Sequence, residues 1–151
     1  MNITKEFKLT IKFIDHKLKE NNIIYAIITS TNLALQGIDV KPNDIDIIVN
    51  LNDLIKISDI FSDYLISSVK QLQTTTKELA WDVKLKMYDV DVQFIGEQKN
   101  GIYLSELIKK NLIFIDVDNI KIPCLTFEAE IRAYKKTNRE HKAKMIEDFL
   151  K

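Results

Sequence analysis

The sequence contains a single cysteine, Cys124, among 151 residues. That excludes an internal disulfide framework, and a lone thiol suits a reducing compartment. Charge of one sign is not in excess, since 22 Lys and Arg balance 22 Asp and Glu. No global field therefore draws the chain towards nucleic acid or a membrane surface. No apolar run approaches the length of a membrane span, and the opening MNITKEFKLTIKF has no signal-peptide core. Internal repeats, linkers and low-complexity tracts are missing too. The two histidines, His16 and His141, sit in charged stretches without a metal-ligand partner at useful spacing. What remains is the expectation of one cytoplasmic domain, with 46% hydrophobic content to build a core.

The pattern of what is present predicts a mixture of helices and strands. Phe7, Ile11, Ile14 and Leu18 recur at helical spacing and predict a helix over 4–20, ended by Asn21-Asn22. A short apolar run over 23–28 reads as a buried strand. Ser30 or Thr31 would cap a brief helix through Gln36, stopped by Gly37. After a loop containing Pro42, 45–49 reads as a second strand, and 52–61 as a helix capped by Asn50 or Asn52. From Leu79 the period changes to two, predicting a hairpin that turns near Tyr88. A helix over 103–111 and a hairpin turning at Asp118-Asn119 follow. Helices over 127–136 and 139–150 close the chain. The fold class is a single α/β (α+β) domain, a mixed twisted sheet flanked by helices.

One stretch resists a purely structural reading: IITSTNLALQGIDVKPNDIDIIVN, in which Asp44 and Asp46 interrupt isoleucines and valine. A strand displays alternate side chains on one face, so these carboxylates point the same way and repel. The bland alternative places both acids on the wet side of a sheet, and the pair alone does not exclude it. A further carboxylate on a neighbouring strand changes the balance, because three acids can satisfy one another only through a cation. Hard oxygen ligands suit magnesium, as one or two ions carrying waters and a substrate's phosphates. Asp91 is chosen as the third acid over Asp89, which lies close to the turn. The turn and short helix before Asp44 form a phosphate cradle near Ser30. Lys84 and Lys86 share the hairpin's polar face and are read first as solubilising groups. Arg139 and Lys142, one turn apart in a basic C-terminal stretch, are secondary candidates for contact with a nucleotide. Cys124 and Trp81 read as core residues.

Together, 27–37, the D-I-D-I pair and a later apolar–Asp–apolar strand resemble the nucleotidyltransferase fold shared with DNA polymerase β. Its small members include the minimal and the antibiotic nucleotidyltransferases. The resemblance implies a magnesium-dependent transfer of a nucleoside monophosphate from a nucleoside triphosphate, ATP by expectation, to a hydroxyl. Asp44, Asp46 and Asp91 would be the catalytic metal ligands, and Thr29 and Ser30 would form the phosphate turn. The ending IPCLTFEAEIRAYKKTNREHKAKMIEDFL is similar to that of small nucleotidyltransferase-like proteins, with Glu128, Tyr134, Lys135, Arg139 and Lys142 at their characteristic places. It divides the domain into a core over 23–96 and a C-terminal hairpin with helices over 103–150. One departure is Thr29, where the family usually has a glycine that lets a triphosphate approach the backbone. That departure keeps a second expectation open: a weak or inactive module acting through a protein partner. A partner or a second copy would also complete the acceptor pocket of so short a chain.

Overall fold

Thr4 starts the first helix as its side-chain chemistry dictates, its hydroxyl accepting a hydrogen bond from the Phe7 amide at 3.2 Å. In the computed structural model, which describes residues 2–72, 80–97 and 105–151, the elements follow in the order α1 (Lys5–Glu20), β1 (Tyr25–Ile28), α2 (Thr29–Leu35), β2 (Asp44–Asn50), α3 (Leu54–Ile60), β3 (Leu65–Leu72), β4 (Ala80–Met87), β5 (Val90–Glu97), α4 (Ser105–Lys110), β6 (Leu112–Val117), β7 (Ile120–Leu125), α5 (Phe127–Lys136) and α6 (Glu140–Phe149). Both hairpins turn where the sequence places them. Tyr88-Asp89 and Asp118-Asn119 all have positive φ, the geometry of a two-residue turn that matches strand twist. Of the helix expected over 103–111, Tyr103 and Leu104 lie outside the described residues, as does Leu79 at the start of the first hairpin.

Three local expectations need correction. Neither Ser30 nor Thr31 caps α2, which begins one residue earlier, at Thr29, and has no side-chain cap. The Thr31 hydroxyl instead donates to the Asp44 carbonyl at 2.6 Å, tying the helix to the strand that carries the acid pair. Asn50 and Asn52 do not cap α3 either; a 3-10 turn over Leu51–Asp53 leads into it. Strand β3, LISSVKQL, has no counterpart in the sequence reading. Its half-buried and exposed residues alternate from Leu65 to Lys70, but Ser67 takes an inner position and Ile66 an outer one, and its pairing with β4 contains two register shifts. An edge strand made of serines, lysine and glutamine gives little hydrophobic signal.

The seven strands form one mixed sheet in the order β3-β4-β5-β2-β1-β7-β6. β2 runs parallel to β5 and antiparallel to β1, while β1 runs parallel to β7. One face carries Ile27, Ile45, Ile47, Val83, Leu85, Val92 and Phe94, packed under Phe7, Ile11, Ile14 and Leu18 of α1 and Leu54 and Ile57 of α3. The opposite face carries Ala26, Ile28 and Ile48, covered by Ile108 of α4 and by Ala129 and Ala133 of α5. A third cluster joins Leu33 of α2 to Tyr134 of α5 and to Ala143 and Ile146 of α6. Cys124 is buried in the first core, as expected of a small core residue, and Trp81 packs half-buried against it.

Gly96 of β5 lets the turn after β2 lie directly on the sheet. A Cβ there would stand 2.8 Å from the Leu51 Cα and 3.0 Å from Leu54 Cδ1. The nearer atom is backbone and cannot swing aside. Gly96→Ala is accordingly expected to destabilise the fold by about 1–3 kcal/mol through overpacking. A denaturant melt showing no shift in midpoint would contradict that close approach.

Candidate active site

The acid pair lies at the end of the sheet where β1 finishes and β2 and β5 begin. Asp44 is level with Asp91 on the parallel neighbour, and Asp46 is level with Gln93. Adjacent strands stand about 4.8 Å apart, and level residues point to the same face. Lys86 is opposite Asp91 and Lys84 opposite Gln93 one strand further on, whereas Asp89 is spent in the turn. Asp44, Asp46, Asp91, Gln93, Lys84 and Lys86 thus share one face, the one that α4 and α5 partly cover. Lys84 and Lys86 are exposed, in keeping with the solubilising role.

The three acids are not equivalent. Asp44 and Asp91 are exposed, and Asp46 is half-buried. Burial pushes the Asp44 carboxyl above the usual range, and the neighbouring Asp91 charge adds to the rise. Burial also raises Asp46. The Thr29 hydroxyl and the Arg139 guanidinium pull it down and Asp44 pushes it up, with a net rise. Asp46 Oδ2 accepts from Thr29 Oγ1 at 2.7 Å, but its Oδ1 is buried and has no hydrogen-bond partner. An unsatisfied oxygen on a charged group costs about 1–3 kcal/mol or more. Asp46 is therefore not an acid that simply faces water.

Hard oxygens on adjacent strands, one of them orphaned, are the donors a small divalent cation takes. The carboxylates do not meet tightly, however. Among the described residues, no three His, Cys, Asp or Glu side chains are drawn together closely enough to hold a metal ion.

The turn between β1 and α2 is strained and braced. Thr29 has φ +58°, a region in which a β-branched residue is an outlier and which costs about 1–3 kcal/mol. Two charge-assisted bonds oppose this, each worth about 1.5–3 kcal/mol. The Thr29 amide donates to Glu130 Oε2 at 2.6 Å, and its hydroxyl donates to Asp46. A glycine at this place would thus be favoured by the left-handed backbone itself, in addition to any need for close approach.

Arg139 reaches the site electrostatically. It lies half-buried at the α5–α6 junction, its guanidinium carbon 4.8 Å from the centre of the Tyr134 ring, and it acts on Asp46. Lys142 is half-buried on α6. Ser30 is half-buried beside Thr29. Lys135 faces Glu147 at 3.8 Å, Glu128 is exposed, and His16 and His141 are exposed away from the acids.

Sequence reading missed Glu130, Asn32, Asp82 and Gln93. Glu130 is fully buried, and Asn32 Nδ2 donates both to Glu130 Oε2 and to the Leu125 carbonyl, each at 2.8 Å. Asp82 is fully buried as well; its Oδ2 accepts from Gln93 Nε2 at 2.6 Å. Helical spacing could have found Glu130, because it lies on the stripe of Ala129, Ala133 and Tyr134 that α5 buries. Glu128, chosen instead, falls on the wet side.

The strand order and helix placement are those of a polymerase β-like nucleotidyltransferase fold. The chain is similar to a candidate nucleotidyltransferase from Thermotoga maritima, TM1012, with a TM-score of 0.78 and 27% identity over 98% of this chain and 94% of that one. It also matches ANT(2'')-Ia in complex with adenylyl-2''-tobramycin, with a TM-score of 0.62 and 12% identity over 95% and 89% of the two chains. The solution structure of the antibiotic-resistance factor ANT(2'')-Ia matches with a TM-score of 0.59 and 12% identity over 100% and 86%. At that identity the two ANT(2'')-Ia matches show the fold alone. No protein-family model and no curated protein matches the sequence.

Proposed function

We propose that the chain is a magnesium-dependent nucleotidyltransferase that moves a nucleoside monophosphate from a nucleoside triphosphate, ATP by preference, to an acceptor hydroxyl, releasing pyrophosphate. The observation that carries the reading is the buried, partnerless Asp46 Oδ1 beside Asp44, with Asp91 on the adjacent strand. Asp44 and Asp46 would hold one or two magnesium ions, with Asp91 as the third ligand. Magnesium bound there would neutralise the triphosphate and the charge that grows as the phosphate bond breaks. Asp91, exposed and next to Asp44, takes the proton of the acceptor hydroxyl. The hydroxyl oxygen bonds to the α-phosphorus as the bond from that phosphorus to pyrophosphate breaks. Thr29 and Ser30 form the phosphate turn, and Arg139 and Lys142 supply positive charge at its rim. Residues 23–96 carry the acids, and the acceptor side is left to a second copy or a partner. ATP is proposed as donor by analogy with the adenylyl group in the ligand of ANT(2'')-Ia, a likeness of fold alone. The lone buried thiol, and the lack among the described residues of a helix long and apolar enough to cross a membrane, suit a cytoplasmic setting.

Labelled ATP, magnesium and a panel of hydroxyl acceptors test this directly. Label transfer is the expected result; no transfer together with no metal-dependent ATP binding overturns the reading. Asp91→Asn is expected to lower the transfer rate about 10²–10⁴-fold, read as label transfer at saturating ATP and magnesium. A second reading, a weak or inactive module acting through a protein partner, draws on the looseness of the acid group. It requires the biological effect to survive Asp44→Asn.

A further inference from the structure

Thr29 holds two carboxylates at once, and they come from distant parts of the chain. Asp46 takes its hydroxyl; Glu130, 101 positions away on α5, takes its amide. Glu130 is fully buried, a costly place for an acid unless its neighbours fix it. They do. Asn32 donates to the same Oε2 and is itself fastened to the Leu125 carbonyl, while Gln36 Nε2 donates to Asn32 Oδ1 at 2.7 Å and to the Leu125 carbonyl at 2.9 Å. A continuous polar chain therefore runs from the start of α5 through α2 to the acid at the sheet's end.

We infer that Glu130 is a positioning residue for the candidate site: by gripping the Thr29 amide it keeps that residue in its left-handed conformation, where the Thr29 hydroxyl fixes one Asp46 oxygen and leaves the other bare. The inference rests on the metal-binding reading above. A threonine freed of Glu130 relaxes towards negative φ and carries its hydroxyl away from Asp46. The carboxylate then turns to satisfy itself elsewhere. Glycine tolerates positive φ without support, so Thr29→Gly removes the hydroxyl and the need for Glu130 together.

The probe is Mn²⁺ alone, titrated into the full chain and followed by electron paramagnetic resonance, with thermal melts alongside. Glu130→Ala is expected to weaken Mn²⁺ binding about 10-fold, the effect of removing a group that orients a ligand, and Glu130→Gln to restore part of it. In a Thr29→Gly background, replacing Glu130 should change Mn²⁺ affinity less than about twofold. Should Glu130→Ala not fold, the Glu130→Gln pair in the two backgrounds gives the same comparison. Unaltered Mn²⁺ affinity in a folded Glu130 variant, or an equal loss in both backgrounds, overturns the inference while leaving the metal reading intact. An unmodified chain that binds no Mn²⁺, or binds it as well after Asp44→Asn, overturns both.

Discussion

Replacing Asp46 with asparagine is expected to abolish nucleotidyl transfer, by about 10³-fold or more, and at the same time to make the metal-free chain more stable. The two effects have one cause. Asp46 keeps an unpartnered buried oxygen beside the like charge of Asp44, and both carboxyls are pushed above the usual range. Asparagine accepts the same bond from Thr29 but carries no charge, which removes the repulsion from Asp44. A gain of about 1 kcal/mol, or about 2–4 °C in Tm, is the expected scale. The pH dependence has a definite sign. An acid whose folded pKa exceeds the unfolded value, about 3.9, binds more protons when folded, so stability falls as pH rises between the two values. The penalty is complete above the raised pKa. Metal-free chain should thus melt higher at mildly acidic pH than at neutrality, and Asp46→Asn should flatten that slope. Acids that merely faced water would give no change in Tm and no such slope.

Phe94→Ala carries the largest expected loss of stability, about 3–5 kcal/mol. Phe94 is fully buried directly behind the acid-bearing face, level with Ile47 on β2 and Val83 on β4, and its ring stacks on Phe61 at 5.8 Å. Truncation removes that stack and leaves a cavity between the sheet and the helices above it. At about 2–4 °C per kcal/mol the midpoint should drop by about 6–20 °C. Because Phe94 follows Gln93 and bridges the two strands that bring Asp44 level with Asp91, Mn²⁺ affinity should also fall. Phe94→Leu, which keeps most of the volume, should recover most of both. A truncation that left Tm within a degree or two would mean that this core can close around the gap.

Some of this was legible before any coordinates. The period-two runs on either side of Tyr88, the two turns with positive φ, the Thr4 start of α1 and the acid pair are local patterns, and each residue's neighbours in sequence are enough to specify them. That Asp89 falls near the turn and Asp91 deeper in the strand was likewise readable. The edge strand β3 was not, since a serine stands at an inner position and an isoleucine at an outer one, so burial alternates along it while hydrophobicity does not. The cap at Ser30 or Thr31 failed for a different reason: a partner 101 positions away claims the Thr29 amide, and Thr31 turns to the Asp44 carbonyl.

The sequence by itself determined most of the segments that become strands and helices, β3 excepted, where the two hairpins turn, and that two acids stand on one side of a strand among apolar residues. Those outcomes follow from short-range sterics and the alternation of water-loving and water-avoiding groups. Only the tertiary structure decided that β2 lies parallel to β5, that Asp46 loses water on one oxygen, and that a buried glutamate from α5 holds the strained turn beside it. Those depend on burial and on contacts between residues far apart in the chain.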